Sequence, residues 1–356
     1  LSGVWGNKIK YSIFGESHGN GIGIVIDGLE PGIELDLDAI SKEMERRAPG
    51  KNKLSTSRNE KDQFEILSGV FQDKTTGAPL CAIIRNSNQH SKDYSKTKDL
   101  IRPGHADYTG RIKYNDFNDY RGGGHFSGRI TAPLVFAGAV AKQALLKKGI
   151  IIGSHIYSIK NIKDDKFDLA SIKEDSLKEL TQMDFPVIRS EKSSDMKDEI
   201  LKAREEQDSV GGIIECAAIN LPCGIGSPYF DSIESSLSHL LFSIPAVKGV
   251  EFGLGFEITE LFGSKANDEY YIEDDVINTY TNNNGGVLGG ITNGMPLVFR
   301  VAIKPTPSIA KSQRTVDMVK RENANIEVHG RHDPCIVQRA IPVVEAVTAM
   351  GILEHI

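Results

Sequence analysis

Cysteine is scarce in the 356 residues, and what there is carries no metal or redox signature. Cys81, Cys216, Cys223 and Cys335 show no C-x-x-C pair and no companion histidine cluster, so neither a zinc site nor a disulfide framework is expected. They read as small buried apolar residues, with Cys335 next to a turn of functional interest. Long apolar runs are missing too: nothing approaches the length of a membrane span, and mean hydropathy is -0.26. A soluble protein without a membrane partner follows as the expectation. The first residues alternate polar and apolar side chains and include two lysines, Lys8 and Lys10. This is no signal-peptide pattern, so a cytoplasmic location is expected. There is no basic excess, since 42 Lys and Arg stand against 48 Asp and Glu for a net charge of -6. A nucleic-acid footprint is thereby excluded, and any anionic ligand must be met by local positive charge. Such charge gathers at Arg46, Arg47, Lys51, Lys53 and Arg58, diluted by Glu43, Glu45 and Glu60.

No Pro/Gly/Ser-rich linker divides the chain, so residues 1–356 read as one large α+β domain rather than two joined units. Residues 8–14 and 21–27 pattern as strands framing a turn, and residues 35–47 as an amphipathic helix with Leu37, Ile40 and Met44 on one face. Strands are expected at 64–71, 79–85, 211–221, 249–261 and 296–303. The clearest helix is 127–148, rich in Ala, Leu and Val and so buried on most sides. Further helices are expected at 230–243 and 339–356. Residues 160–207 are charged and free of glycine, and read as a peripheral helical excursion with a solvated face. Strand and helix do not alternate regularly enough for a doubly wound sheet or a barrel. A glycine turn followed by an Ala-rich helix occurs twice, at 122–148 and at 330–356, which hints at two related halves.

What the sequence does have is histidine and arginine inside glycine-rich turns. These are Gly15-Glu16-Ser17-His18-Gly19, Arg102-Pro103-Gly104-His105-Ala106-Asp107, Arg121-Gly122-Gly123-Gly124-His125-Phe126-Ser127-Gly128-Arg129 and Gly330-Arg331-His332-Asp333-Pro334-Cys335. Glycine lets the backbone come close to a ligand, while His and Arg supply protons and fixed charge. A fifth segment, residues 285–294, feeds a strand that ends in Lys304, Pro305, Thr306, Pro307 and Ser308. Its prolines fix the backbone, and its lysine and hydroxyls can donate to a phosphate or a flavin edge. Together the segments read as one anion-binding active site.

Three other readings fail. Gly15-Glu16-Ser17-His18-Gly19 satisfies the nucleophile-elbow pattern of α/β-hydrolases, but too little chain precedes it to build the strands and oxyanion loop such an elbow needs. The glycines at 285–294 open no helix and have no acidic partner in the dinucleotide pattern. A metal hydrolase built on His332 and Asp333 lacks a second close ligand set.

The five segments, with Asp27-Gly28, Arg46-Arg47-Ala48-Pro49-Gly50, Ser68-Gly69-Val70-Phe71, Thr76-Gly77 and residues 248–253, resemble the chorismate synthase family from Lys8 through the final helix. The resemblance implies a β-α-β sandwich subunit in a homotetramer that needs reduced FMN. It also implies a 1,4-anti-elimination of phosphate from 5-enolpyruvylshikimate 3-phosphate, giving chorismate. A non-catalytic flavin- or phosphate-binding descendant of that scaffold would lack His18, His105 or Asp333, and all three are present.

By that resemblance His18 protonates the departing phosphate, His105 protonates the reduced flavin ring, and Asp333 is the acidic residue near flavin nitrogen 5. Arg47, Lys53, Arg102, Arg129 and Arg331 match the positions that meet the substrate's anionic groups. For FMN the matching positions are His125, Phe126, Ser127, Pro245, Ala246, Gly289, Lys304 to Ser308 and Arg331. Three departures stand out: His125-Phe126-Ser127 where many members carry Arg-Ser-Ser, Lys53 at a usual arginine, and Pro245 where an amide residue is frequent. The resemblance leaves open whether NADPH reduces the flavin on this enzyme or a separate flavin reductase supplies it.

Overall fold

The computed structural model describes residues 3–50, 54–55, 61–86, 98–330 and 332–356. Two five-stranded antiparallel sheets enclose a layer of helices. The first sheet holds β1 (Val4–Trp5), β2 (Lys10–Gly15), β3 (Gly21–Asp27), β4 (Phe64–Ser68) and β5 (Leu80–Arg85), in the order β1-β2-β3-β5-β4. The second holds β6 (Ile151–Ile159), β7 (Ile162–Lys163), β8 (Gly212–Ile219), β9 (Val247–Phe252) and β10 (Leu297–Ile303), in the order β9-β10-β8-β6-β7. Between them pack α1 (Leu37–Arg47), α2 (Thr131–Leu146), α3 (Ile233–Ser243) and α4 (Val337–His355). The expected mixed helix-and-sheet sandwich is what the chain builds.

The sequence explains the layering. Apolar residues of β3, Ile22, Ile24 and Ile26, point inward at alternate positions and are fully buried. In α2 nearly every side chain is buried, so a helix without a polar face is stable only between two other layers. Its Pro133 falls in the first turn, where no backbone hydrogen bond is lost. α2 lies against α4, so the two Ala-rich helices that each follow a glycine turn form the centre of the layer.

Boundaries differ from expectation in places with local causes. Gly69, at φ +86°, ends β4, and residues 70–71 pair instead with 74–75 in a separate hairpin. Residues 128–130 form a short 3-10 turn capped by Ser127 before α2 begins. Past Phe252 the chain leaves the sheet for a 3-10 turn at Gly255–Glu260. Residues 160–207 do form helices, Glu174–Gln182 and Ser190–Glu205. They are more than a solvated face: Leu177 and Leu180 pack with Phe167, Ala217, Ile219 and Val298 over the outer side of the second sheet.

Candidate active site

The β2–β3 hairpin presents residues 15–19 at the end of the first sheet, with Ser17 and His18 both buried. Two hydrogen bonds dock this turn onto residues 121–129. The Ser17 amide donates to the Gly124 carbonyl at 3.1 Å, and His125 Nδ1 lies 2.8 Å from the Gly15 carbonyl. A carbonyl only accepts, so Nδ1 of His125 carries the proton.

The docked turn runs through Gly122 and Gly123, at φ +60° and +84°. A Cβ on Gly122 would sit 2.4 Å from His18 Cδ2, and one on Gly123 would sit 3.1 Å from His105 Cε1 and Nε2. Only glycine fits either place. Neighbouring Cα atoms are about 3.8 Å apart, so the two imidazoles lie against adjacent residues of one backbone strip.

His105 is held from its other side. Its Nδ1 is 2.7 Å from Asp107 Oδ1, and Arg102 spans the same carboxylate with Nη2 and Nε, each at 2.7 Å. Burial alone raises the Asp107 pKa, but the hydrogen bonds from Arg102 and His105 hold it well below the usual carboxylate value. Arg102 Nη1 also reaches Ser308 Oγ at 3.3 Å, and Lys304 Nζ donates to the Gly104 carbonyl. The segment 304–308 therefore closes over the 102–107 turn. Burial and the nearby Lys248 charge push the Lys304 pKa down. Pro245 and Ala246 adjoin this segment, since the Lys304 amide donates to the Ala246 carbonyl at 3.0 Å. Thr306 Oγ1 is buried and makes no hydrogen bond among the described residues. Beside these groups a cleft is lined by Ile101, Arg102, Ala106, Tyr120, Gly123 and Phe126.

A second, cationic cluster adjoins the His18 turn. Arg47, at the C-terminal end of α1, donates Nε to Asp62 Oδ2 at 2.6 Å and shares that oxygen through Nη2. Arg129 Nη1 takes the other oxygen, Oδ1. Burial pushes the Asp62 pKa up, and the Arg47 and Arg129 charges outweigh it, leaving it lowered. Burial pushes the Arg47 pKa down, and the Arg339 and Arg129 charges add to that against the pull of Asp62. Asn86 ties the cluster to the histidine turn: its Oδ1 accepts from Arg129 Nε at 3.2 Å while its Nδ2 donates to the Glu16 and Gly19 carbonyls, each at 3.0 Å. On the far side Arg339 donates Nε to the Arg47 carbonyl at 3.0 Å and Nη1 to Asp333 Oδ2.

Segments around positions 18, 47, 105, 125, 129, 245, 306 and 333 thus form one linked network. Lys53 and Arg331 lie outside the described residues. Gly289 sits in a hairpin of residues 287–292 whose next residue, Gly290, abuts Ser227, Ser232 and Ile233 at the start of α3, while the side of Gly289 where a Cβ would project is open. Asp62, Asn86 and Arg339 were not singled out by sequence, and Asp107 was seen only as part of its turn. Asp62 follows a run of mixed charge and differs in no visible way from Glu60; only the fold sets it apart.

Two imidazoles on one backbone strip, near two arginines that share the Asp62 carboxylate, are the kind of groups found in enzymes that act on anionic small molecules with proton transfer. The chorismate synthase profile matches residues 9–356. The chorismate synthase of Pyrococcus abyssi is 49% identical over 354 residues, covering 99% of this chain and 96% of that protein. The chorismate synthase of Methanocaldococcus jannaschii is 46% identical over 371 residues, with coverage of 99% and 96%. A crystal structure of chorismate synthase superposes with a TM-score of 0.78 at 32% identity, covering 99% of this chain and 92% of that one. The chain belongs to the chorismate synthase family. It is accordingly a carbon-oxygen lyase of the shikimate pathway to the aromatic amino acids.

Proposed function

We propose that the site binds 5-enolpyruvylshikimate 3-phosphate through Arg47, Lys53, Arg102, Arg129 and Arg331, and that His18, His105 and Asp333 manage its protons. The placement of His18 and His105 against Gly122 and Gly123 carries this reading, because it fixes two proton donors at one short spacing. The chemistry that bound reduced FMN would supply is reversible electron donation to the substrate, with no net oxidation over the reaction. His125, Phe126, Ser127, Pro245, Ala246, Gly289, Arg331 and residues 304–308 are the positions assigned to hold it. The buried Thr306 hydroxyl, without a partner among the described residues, and the Lys304 ammonium support that assignment, since both can donate to a ligand at this edge.

His18 delivers its proton to the oxygen of the departing phosphate, where growing negative charge favours an imidazolium donor. His105 holds a proton at the cofactor side, with Nδ1 turned to Asp107 and Nε2 toward Gly123. Asp333, oriented by Arg339, would stand near the position assigned to flavin nitrogen 5 and help that nitrogen act as the base. The arginines neutralise the substrate's carboxylates and phosphate, and the buried surroundings of Arg47 and Arg129 exclude water. The enzyme works as a homotetramer in the cytoplasm, its flavin reduced through NADPH or by a separate reductase.

Anaerobic turnover of the phosphorylated enolpyruvyl substrate with chemically reduced FMN tests the proposal. Each flavin should support many turnovers, read as chorismate absorbance. Product at full rate without flavin, or one flavin oxidised per product, defeats it.

A further inference from the structure

We propose that Asp62 is a positioning residue of the anion site, its buried carboxylate holding the Arg47 and Arg129 guanidinium groups side by side so that both meet the same substrate. This rests on the reading that those two arginines bind the substrate's anionic groups.

Two like charges brought together in a buried place repel and each prefers water, so without a shared counter-ion they move apart. Asp62 supplies that counter-ion from one side. Its side chain is 1% exposed, and the two oxygens are divided between the arginines, Oδ2 to Arg47 and Oδ1 to Arg129. The remaining contacts leave little freedom. Arg129 Nε is fixed by Asn86, the Arg47 backbone by Arg339, and Arg339 in turn by Asp333. Asp62 lies just before β4 and bonds both the arginine at the C-terminal end of α1 and the one in the turn before α2, so it joins the segments that carry them. Having both oxygens committed to arginines, it acts through them and not on the reacting atoms.

The test is steady-state kinetics of Asp62→Asn and Asp62→Glu under anaerobic conditions with reduced FMN, with Arg129→Ala alongside and thermal melting of each. In Asp62→Asn the KM for the phosphorylated substrate should rise about tenfold to a hundredfold while kcat stays within about threefold, as for loss of binding common to ground and transition states. Inhibition by inorganic phosphate should weaken in parallel. Asp62→Glu, which keeps the charge, should recover part of the KM. An unchanged KM with a lowered melting temperature would make Asp62 a purely structural partner and overturn the proposal. A lowered KM would overturn it too, by showing that Asp62 competes with the substrate. Failure of both Asp62 variants to fold would assign the residue to folding instead. Arg129→Ala separates the underlying reading: if its KM is unchanged, the arginines do not bind substrate, whereas a raised KM there with a normal one in Asp62→Asn defeats only the role of Asp62.

Discussion

Arg46 and Arg47 are consecutive in sequence, both inward-facing at the end of α1, and they do opposite things. Arg46 reaches the helix layer, where its Nη1 meets Glu43 at 2.9 Å and Glu345 at 2.6 Å. Lys142 and Ser154 join it on the fully buried Glu345. Burial lowers the Arg46 pKa, yet the two carboxylates outweigh this and raise it. Cations and acids there balance, two against two. Arg47 reaches the site, where it shares one carboxylate with Arg129, and its pKa falls. Arg46 is thus met by acids within the helix layer, while Arg47 and Arg129 share the Asp62 carboxylate beside the His18 turn, where the proposed substrate would meet them.

The largest effect that can break this contrast is in the scaffold. Glu345→Gln leaves Arg46 and Lys142 buried without their shared acid and should destabilise the fold by about 3–5 kcal/mol, the usual result of breaking a buried ion pair. Denaturant unfolding reads it, and the KM of the folded enzyme should not change. A raised KM would mean the two clusters are not separate.

His18→Ala or His105→Ala should instead leave stability nearly intact and lower kcat by roughly a hundredfold or more, as expected for a lost general acid. Near-normal turnover in either variant would return that histidine to packing.

Arg47→Met sharpens the comparison with its neighbour. It should raise the substrate KM by about tenfold or more, the scale of a lost charge-assisted hydrogen bond, with a smaller stability cost than Glu345→Gln because Asp62 keeps Arg129. A KM equal to wild type would place Arg47 with Arg46 in the scaffold.

The smallest effect is in acid. Asp107 and Asp62 both have folded pKa values below their unfolded ones, so their contribution is complete above the ordinary value of about 3.9 and is lost as pH falls through the folded value. Asp107→Asn should therefore flatten the fall of stability below about pH 4 and leave the slope near neutrality unchanged. An unaltered acid slope would show that Asp107 is not ion-paired in the native state.

Much of this arrangement was legible in the sequence because turns and periodicity are local. The β2–β3 hairpin, α2 and the glycine turns at 102–107 and 121–129 are dictated by residues near one another, and they appear where the pattern puts them. The histidines could be picked out because an adjoining glycine in a turn is a rare setting for a packed ring. Asp62 and Arg339 could not, since their meaning comes from partners brought in by the fold. Arg46 misled for the same reason: counted with the local positive charge, it is spent on an acid 299 residues away. Nothing in Arg46-Arg47 tells which of the two turns to the helix layer.

The Arg102–Ser308 contact spans 206 residues and the Arg339–Arg47 contact spans 292. Ties of this length cost the most loop-closure entropy, so they are the last to be rewarded as the chain folds and among the first to open under mild stress. The first sheet, whose strands all lie within residues 4–85, has no such handicap. In rising denaturant, activity should therefore vanish while amide exchange still reports protected strands in the first sheet, and on dilution those strands should return before turnover does.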